Sequence, residues 1–378
     1  MPETCNWFDT MPAHRQRHLP GSQRHGIHIE VDGHRLVNFA SNDYLGLSFH
    51  PQVCKAAADA IEAERMGSGA SRLVSGDAPV IHALETALAE WKGYQACLLT
   101  GSGMLANIGL LQAISDRHTH LFTDRMNHAS LVDGARLGGG DVHRYAHLDL
   151  VRLERLLQKY PARRRVIVSD GVFSMDGDCA DVAALLHLAA AYDAIVVLDD
   201  AHGTGTIGPE GRGLSHVANM QGHPRLIEVG TLGKAFGVYG AFILGHADLI
   251  DGLRQRLRTF IYSTALPAAL AHAALAALAI IRDGGQVKTL HANLTLFKSL
   301  TGHLPLSPSD TPIQPLVIGN DHAALHAAEA LRRNGFFVPA IRPPTVPQGT
   351  ARLRITLSAA HTAEQVEGLC TALERIMA

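Results

Sequence analysis

What most constrains this chain is an alternation. Short runs of leucine and β-branched residues recur between longer stretches whose apolar side chains return every three or four positions. The runs at 96–100, 120–123, 166–169, 195–199, 226–230 and 241–244 predict strands, and the stretches at 80–92, 104–114, 148–160 and 182–192 predict helices. A run such as Ile195-Val196-Val197-Leu198 is apolar on both faces, which suits a strand covered by helices on either side. The expectation is an α/β fold, a mainly parallel sheet between helices. With 378 residues, 47% of them hydrophobic, the chain is too long for one ordinary domain, and two lobes are expected. Beyond 283 the texture changes to a helix at 287–301, a strand at 313–318, a helix at 323–335 and strands at 337–340 and 351–357. That predicts a division into an N-terminal segment at 1–45, a large domain at 46–283 and a small α+β domain at 284–378. Within the first segment, strands at 28–31 and 35–38 are expected to turn at Asp32-Gly33.

Composition removes several functions. Lys plus Arg is 33 against 35 for Asp plus Glu, a net charge of −2, so no excess of positive charge exists for a nucleic acid or an anionic membrane face. Cys5, Cys54, Cys97, Cys179 and Cys370 are scattered and include no CxxC pair, which suits a reducing, cytoplasmic setting. Residues 1–18 lack a basic start followed by an apolar stretch, so no secretory signal is expected and this segment should stay on the mature protein. Residues 265–281 are almost wholly apolar, but Pro267, His272 and the helix-ending Arg282-Asp283-Gly284-Gly285 predict a buried, alanine-rich helix. The 23 histidines include the pairs His25 with His28 and His118 with His120. Neither pair has a third ligand at a standard offset, so no metal is expected.

The residues able to do chemistry gather just past the strands. Lys234 follows one of them between Gly233 and Gly237, near the Thr231 hydroxyl, where desolvation lowers an amine's pKa and suits it to Schiff-base formation. Asp199 and Asp200 end another strand, where buried carboxylates need a cation; a protonated pyridine nitrogen would suit Asp199, and His202 is placed to meet a ring substituent of the same cofactor. Thr100-Gly101-Ser102-Gly103-Met104 leads from strand to helix, so the amides of Gly103 and Met104 can cradle a phosphate. His128 can stack on a planar ring, and Ser174 offers a hydroxyl. Gly203-Thr204-Gly205-Thr206-Ile207-Gly208 has the spacing of a dinucleotide fingerprint, with Glu228 at the ribose distance. Pro209-Glu210-Gly211 follows where a helix should open, which argues against a nicotinamide cofactor. Each motif alone admits a plain structural reading, a turn lysine or a tight turn. Their shared position at strand ends does not.

Ser41-Asn42-Asp43-Tyr44-Leu45-Gly46-Leu47, His128-Ala129-Ser130, residues 171–178 (GVFSMDGD), 199–205 (DDAHGTG), 231–237 (TLGKAFG) and 261–267 (IYSTALP) together resemble the α-oxoamine synthases. These are pyridoxal 5'-phosphate enzymes of the aminotransferase fold (fold type I), and the resemblance runs from about residue 30 to the end. It implies catalytic roles for Lys234, Asp199 and His128, with Gly103, Met104, Ser174, His202 and Thr231 also holding the cofactor. It further implies a substrate pocket bounded by His128 and Thr345, and a substrate carboxylate steadied by Asn42 and Arg354, whose fork geometry suits it. Residues 341–347 (IRPPTVP) with 349–354 (GTARLR) are most similar to members that condense L-alanine with pimeloyl-CoA or pimeloyl-acyl carrier protein. The ligase acting on 2-amino-3-ketobutyrate has a different segment there. Two departures stand out. Met104 replaces an aromatic residue common in relatives, and an expected substrate-contacting arginine before Pro20 falls on Arg15 or Arg17 without a clear register. A homodimer is also implied.

Overall fold

The computed structural model describes Gln16, Leu19, residues 21–64 and residues 66–377. Three strands, β1 (Ser22–His25), β2 (His28–Val31) and β3 (His34–Asn38), form an antiparallel ribbon. Asp32 and Gly33 at its predicted turn have φ of 49° and 75°, the paired left-handed conformation of a two-residue hairpin loop.

The central sheet holds β4 (Ala96–Thr100), β5 (Thr119–Asp124), β6 (Asp141–Tyr145), β7 (Arg164–Asp170), β8 (Ile195–Asp199), β9 (Leu226–Thr231) and β10 (Ala241–Gly245). Its order is β4-β10-β9-β8-β7-β5-β6, and β10 alone runs against its neighbours. Alternate side chains feed two cores: Phe122, Ile167, Val196 and Leu198 join one, and Leu121, Val166, Val168 and Val197 the other. This is the two-sided burial that the apolar runs predict. The sequence offered no sign of β6, because this edge strand is polar, with Asp141, His143 and Arg144 along it. The helix Ala129–Leu137 was also missed: Asp133 and Gly134 interrupt its apolar period. Gly134 has a packing reason, since a Cβ there would lie 2.8 Å from the Asn107 backbone oxygen of the helix Gly103–Ile114.

The alanine-rich segment is the helix Ala268–Asp283, which buries Ala269, Ala271, Ala273, Ala274 and Ala277 and ends at Gly284 with φ 78°. Among the described residues no single helix is long and apolar enough to cross a membrane; this one bends by 62° into the helix Gly285–Thr301. The remaining strands are β11 (Ile313–Gly319), β12 (Phe336–Phe337), β13 (Ala340–Ile341) and β14 (Ala351–Thr356). Three form an antiparallel sheet in the order β11-β14-β13, covered by the helix Asp321–Arg333, on which the helix Ala363–Met377 packs in turn. The fourth, β12, pairs in parallel with β3, so the N-terminal ribbon and the C-terminal region share a sheet.

Candidate active site

Because β10 is reversed, the ends of β4, β5, β7, β8 and β9 and the start of β10 lie on one rim of the sheet. Asp199 closes β8 there and is buried. Its Oδ2 accepts a hydrogen bond from Asn107 Nδ2 at 2.6 Å and its Oδ1 one from Ala201 N at 3.0 Å. Asp170 lies beside it at the end of β7, in register. Burial and the neighbouring charge of Asp199 push the Asp170 carboxyl well above the usual range, and its Oδ2 accepts His128 N at 2.6 Å.

His128 caps the helix Ala129–Leu137 and stays partly open to solvent. Its Nδ1 lies 2.7 Å from Ser130 Oγ and also faces Ser130 N at 3.3 Å. Burial lowers its pKa, against the pull of Asp199 and with the help of Lys234. Lys234 stands in the nine-residue connection between β9 and β10. That turn closes through Gly237, whose φ is 67° and where a Cβ would sit 2.2 Å from Ser48 N. Burial draws the Lys234 amine down to about 8 although Asp199 and Asp170 pull it upward, and among the described residues it makes no ion pair.

Ser102 caps the helix Gly103–Ile114 by accepting Leu105 N, so the amides of Gly103 and Met104 begin that helix without an intrahelical acceptor. His202 is buried with Nδ1 2.6 Å from the Tyr44 hydroxyl, and burial holds it well below the usual imidazole range, helped by the charges of Lys234 and Arg354. Arg354 reaches in from β14, 5% exposed. It donates to the Ser174 carbonyl at 2.6 Å, to Thr356 Oγ1 at 2.9 Å and to Asn42 Oδ1 at 3.2 Å. All three acceptors are neutral. Tyr44 links the two groups by donating to Asn42 Oδ1 at 3.2 Å. The Thr231 hydroxyl is engaged locally: it accepts Gly233 N and donates to Gly240 O, each at 3.1 Å.

The structure thus ties His128 to Asp199 through hydrogen bonds, and His202, Asn42, Ser174 and Arg354 to one another. Thr345 lies apart, exposed in the turn after β13, with no hydrogen bond to these groups among the described residues. Arg15 and Arg17 lie outside the described residues. Asn107, Ser130, Asp170 and Tyr44 escaped sequence reasoning as parts of the site. Tyr44 and Ser130 stand inside motifs quoted above without a role of their own, and Asn107 was signalled as a polar residue on an otherwise apolar helix, MLANIGLL.

The second acid after β8 has its own cation. Asp200 meets the buried amine of Lys92 at 3.4 Å, and Lys92 also pairs with Glu228. Glu228 accepts the Tyr94 hydroxyl at 2.7 Å and lies wholly inside, so it cannot reach a ribose. Only a short turn, Pro209–Gly211, follows the glycines at 203–208. The dinucleotide spacing is therefore accidental.

A half-buried amine near neutrality, a buried carboxylate with no cationic partner within 4 Å among the described residues, a partly open imidazole, open helix amides and an unpaired guanidinium form an anion-binding, amine-reactive site. The family model described as aminotransferase class I and II matches residues 34–373. The 8-amino-7-oxononanoate synthase 1 of Polaromonas sp. (strain JS666 / ATCC BAA-500) is 45% identical over 394 residues, spanning 99% of this chain and 97% of its own. The crystal structure of an 8-amino-7-oxononanoate synthase from Francisella tularensis matches with a TM-score of 0.77 at 28% identity, covering 90% of this chain and 96% of that one. A Sphingomonas wittichii serine palmitoyltransferase matches with a TM-score of 0.90 at 25% identity, over 95% of this chain and 91% of that one.

Proposed function

Because the chain belongs to the class I and II aminotransferase family, and within it to the 8-amino-7-oxononanoate synthases, we propose that it joins L-alanine to a pimeloyl thioester. The products are 8-amino-7-oxononanoate, carbon dioxide and the free thiol of coenzyme A or an acyl carrier protein, a step of biotin biosynthesis. The cofactor is pyridoxal 5'-phosphate. The observation that carries this reading is the placing of Lys234, in the turn between β9 and β10, on the rim where the buried Asp199 and Asp170 end their strands, with no ion pair to either.

The residues present fit the cofactor. The amides of Gly103 and Met104, with the positive end of their helix, would take its phosphate. Thr231 can join them only by turning its proton away from Gly240 O. Asp199, held by Asn107, would keep the proton on the pyridine nitrogen. His128 would cover the ring, and His202 and Ser174 would hold its edge. When bound, the cofactor acts as an electron sink that acidifies Cα–H and accepts the charge left by decarboxylation.

Lys234 would hold the cofactor, and its Nζ, neutral above about pH 8, would be the base that takes the Cα proton of the amino acid. Arg354 and Asn42 hold the alanine carboxylate, and Arg354 is suited to this because its present acceptors carry no charge. His128 would bound the substrate pocket, and the assignments of Thr345 and Arg15 to the substrate come from the resemblance. We assign the enzyme to the cytoplasm, from the four cysteines that are free among the described residues, and to a homodimer, from the apolar side chains of Leu73, Val74, Tyr239 and Tyr262 left on the surface.

The test is an absorbance spectrum with pyridoxal phosphate, repeated after L-alanine and then pimeloyl-CoA, with the product mass determined. A visible band and the mass of 8-amino-7-oxononanoate are expected. Lys234→Ala should abolish turnover, and a variant with near-normal activity would sink the assignment.

A further inference from the structure

We infer that Asn107 is a positioning residue: its amide orients Asp199 and, through the Ser130 hydroxyl, holds His128 as the neutral Nε2–H tautomer. The inference rests on the cofactor-binding roles of Asp199 and His128 given above.

Asn107 is 1% exposed, on the helix Gly103–Ile114. Both amide hydrogens are engaged, one with Asp199 Oδ2 at 2.6 Å and one with Ser130 Oγ at 2.9 Å. The flipped amide would set its oxygen against the carboxylate, so Asp199 fixes its orientation. Ser130 Oγ accepts from that amide, which directs its own proton to His128 Nδ1 at 2.7 Å. The Ser130 backbone N–H points at the same nitrogen from 3.3 Å. Two donors converge on Nδ1, so Nδ1 carries a lone pair and the ring proton sits on Nε2. The low pKa of His128, set first by burial, agrees with a neutral ring.

The arrangement is specific to an amide. Among the described residues Asn107 Oδ1 is buried without a partner, a cost that an apolar residue of similar size would avoid. It also depends on close helices, since only a glycine at 134 lets the helix bearing Ser130 approach Asn107.

The measurement is a long-range proton–nitrogen correlation on the ¹⁵N-labelled full chain, before and after pyridoxal phosphate is added, with His128 assigned by its loss in His128→Gln. A pyridine-type Nδ1 and a pyrrole-type Nε2 are expected even before the cofactor is added. Asn107→Ala and Ser130→Ala should each give mixed tautomers, and Asn107→Ala should weaken pyridoxal phosphate binding about tenfold or more. If Asn107→Ala does not fold, Ser130→Ala carries the test. A protonated Nδ1 in the unsubstituted chain, or an unchanged tautomer in both variants, would overturn the inference. A chain that takes up no pyridoxal phosphate would overturn the proposed function instead, while the tautomer of the unloaded protein still decides this one.

Discussion

Arg354 is a guanidinium taken out of water with only neutral acceptors around it. A buried charge in that condition is costly until an anion arrives, and an amino-acid carboxylate is such an anion. Arg354→Met should therefore raise the KM for L-alanine about 10- to 100-fold, the worth of a charge-assisted hydrogen bond, with a smaller effect on kcat. An unchanged KM in steady-state assays would remove Arg354 from the site. The Lys234 amine gives a second prediction. Only its neutral form attacks an aldehyde, so uptake of pyridoxal phosphate by the unloaded chain should climb about tenfold per pH unit below about 8 and level off above it. Stopped-flow absorbance would show the plateau; a rate that keeps climbing through pH 9 and beyond would contradict the lowered pKa.

Among the elements, the contact between the helices Gly103–Ile114 and Ala129–Leu137 decides how the site is built. Gly134→Ala would force a Cβ to within 2.8 Å of the Asn107 oxygen and should cost about 1–3 kcal/mol in denaturant unfolding. Gly252 is the control: it lies in the helix Ala247–Arg256 with nothing within 4 Å of a Cβ, so Gly252→Ala should stabilise by about 0.5–1 kcal/mol. Equal effects would dismiss the close contact. The same helix pair shows where the sequence stops being legible. Apolar runs announced the ends of β8 and β9, and with them Asp199 and Lys234, because strands buried on both faces leave a continuous signal. The helix Ala129–Leu137 left none, since the glycine that permits its packing also breaks its periodicity. Ser130 therefore read as part of a loop, and its bond to Asn107 could not be anticipated.

At the scale of the whole molecule, the N-terminal ribbon and the C-terminal region are bound together near the site. Val37 N donates to Gly335 O at 2.9 Å, Thr356 N to Phe39 O at 2.8 Å, and the Phe39 ring stacks on His361 at 3.8 Å. The sequence predicted β2 and β3 of the ribbon and, beyond 283, alternating helices and strands, but neither β1 nor the union of the two regions, because β12 is two residues long and its partner is in the other terminal region. We propose that this union makes residues 22–38 a fixed wall of the small domain, with 46–283 holding the cofactor. Phe39→Ala should then cost about 3–5 kcal/mol of stability, as for other buried aromatics. It should also raise the KM for L-alanine although Phe39 bears no polar group, because it supports β14 and Arg354. Chemical denaturation with parallel kinetics would check both, and a loss of stability without the KM change would separate the wall from the site.

The reversal of β10 has one more consequence, in the entropy of closing loops. Lys234 is delivered by a hairpin whose ends, Thr231 and Gly240, are 9 residues apart, whereas Asn42 meets Arg354 across 312. Loop closure grows by about 0.6 kcal/mol per doubling, so the long contact requires roughly 3 kcal/mol more ordering than the short one. The amine half of the site is held by local chain, while the carboxylate half depends on distant segments staying together. Under heat or denaturant, Asn42 and Arg354 should part while Lys234 still stands in its turn, and an amino acid bound across them would act as the clasp.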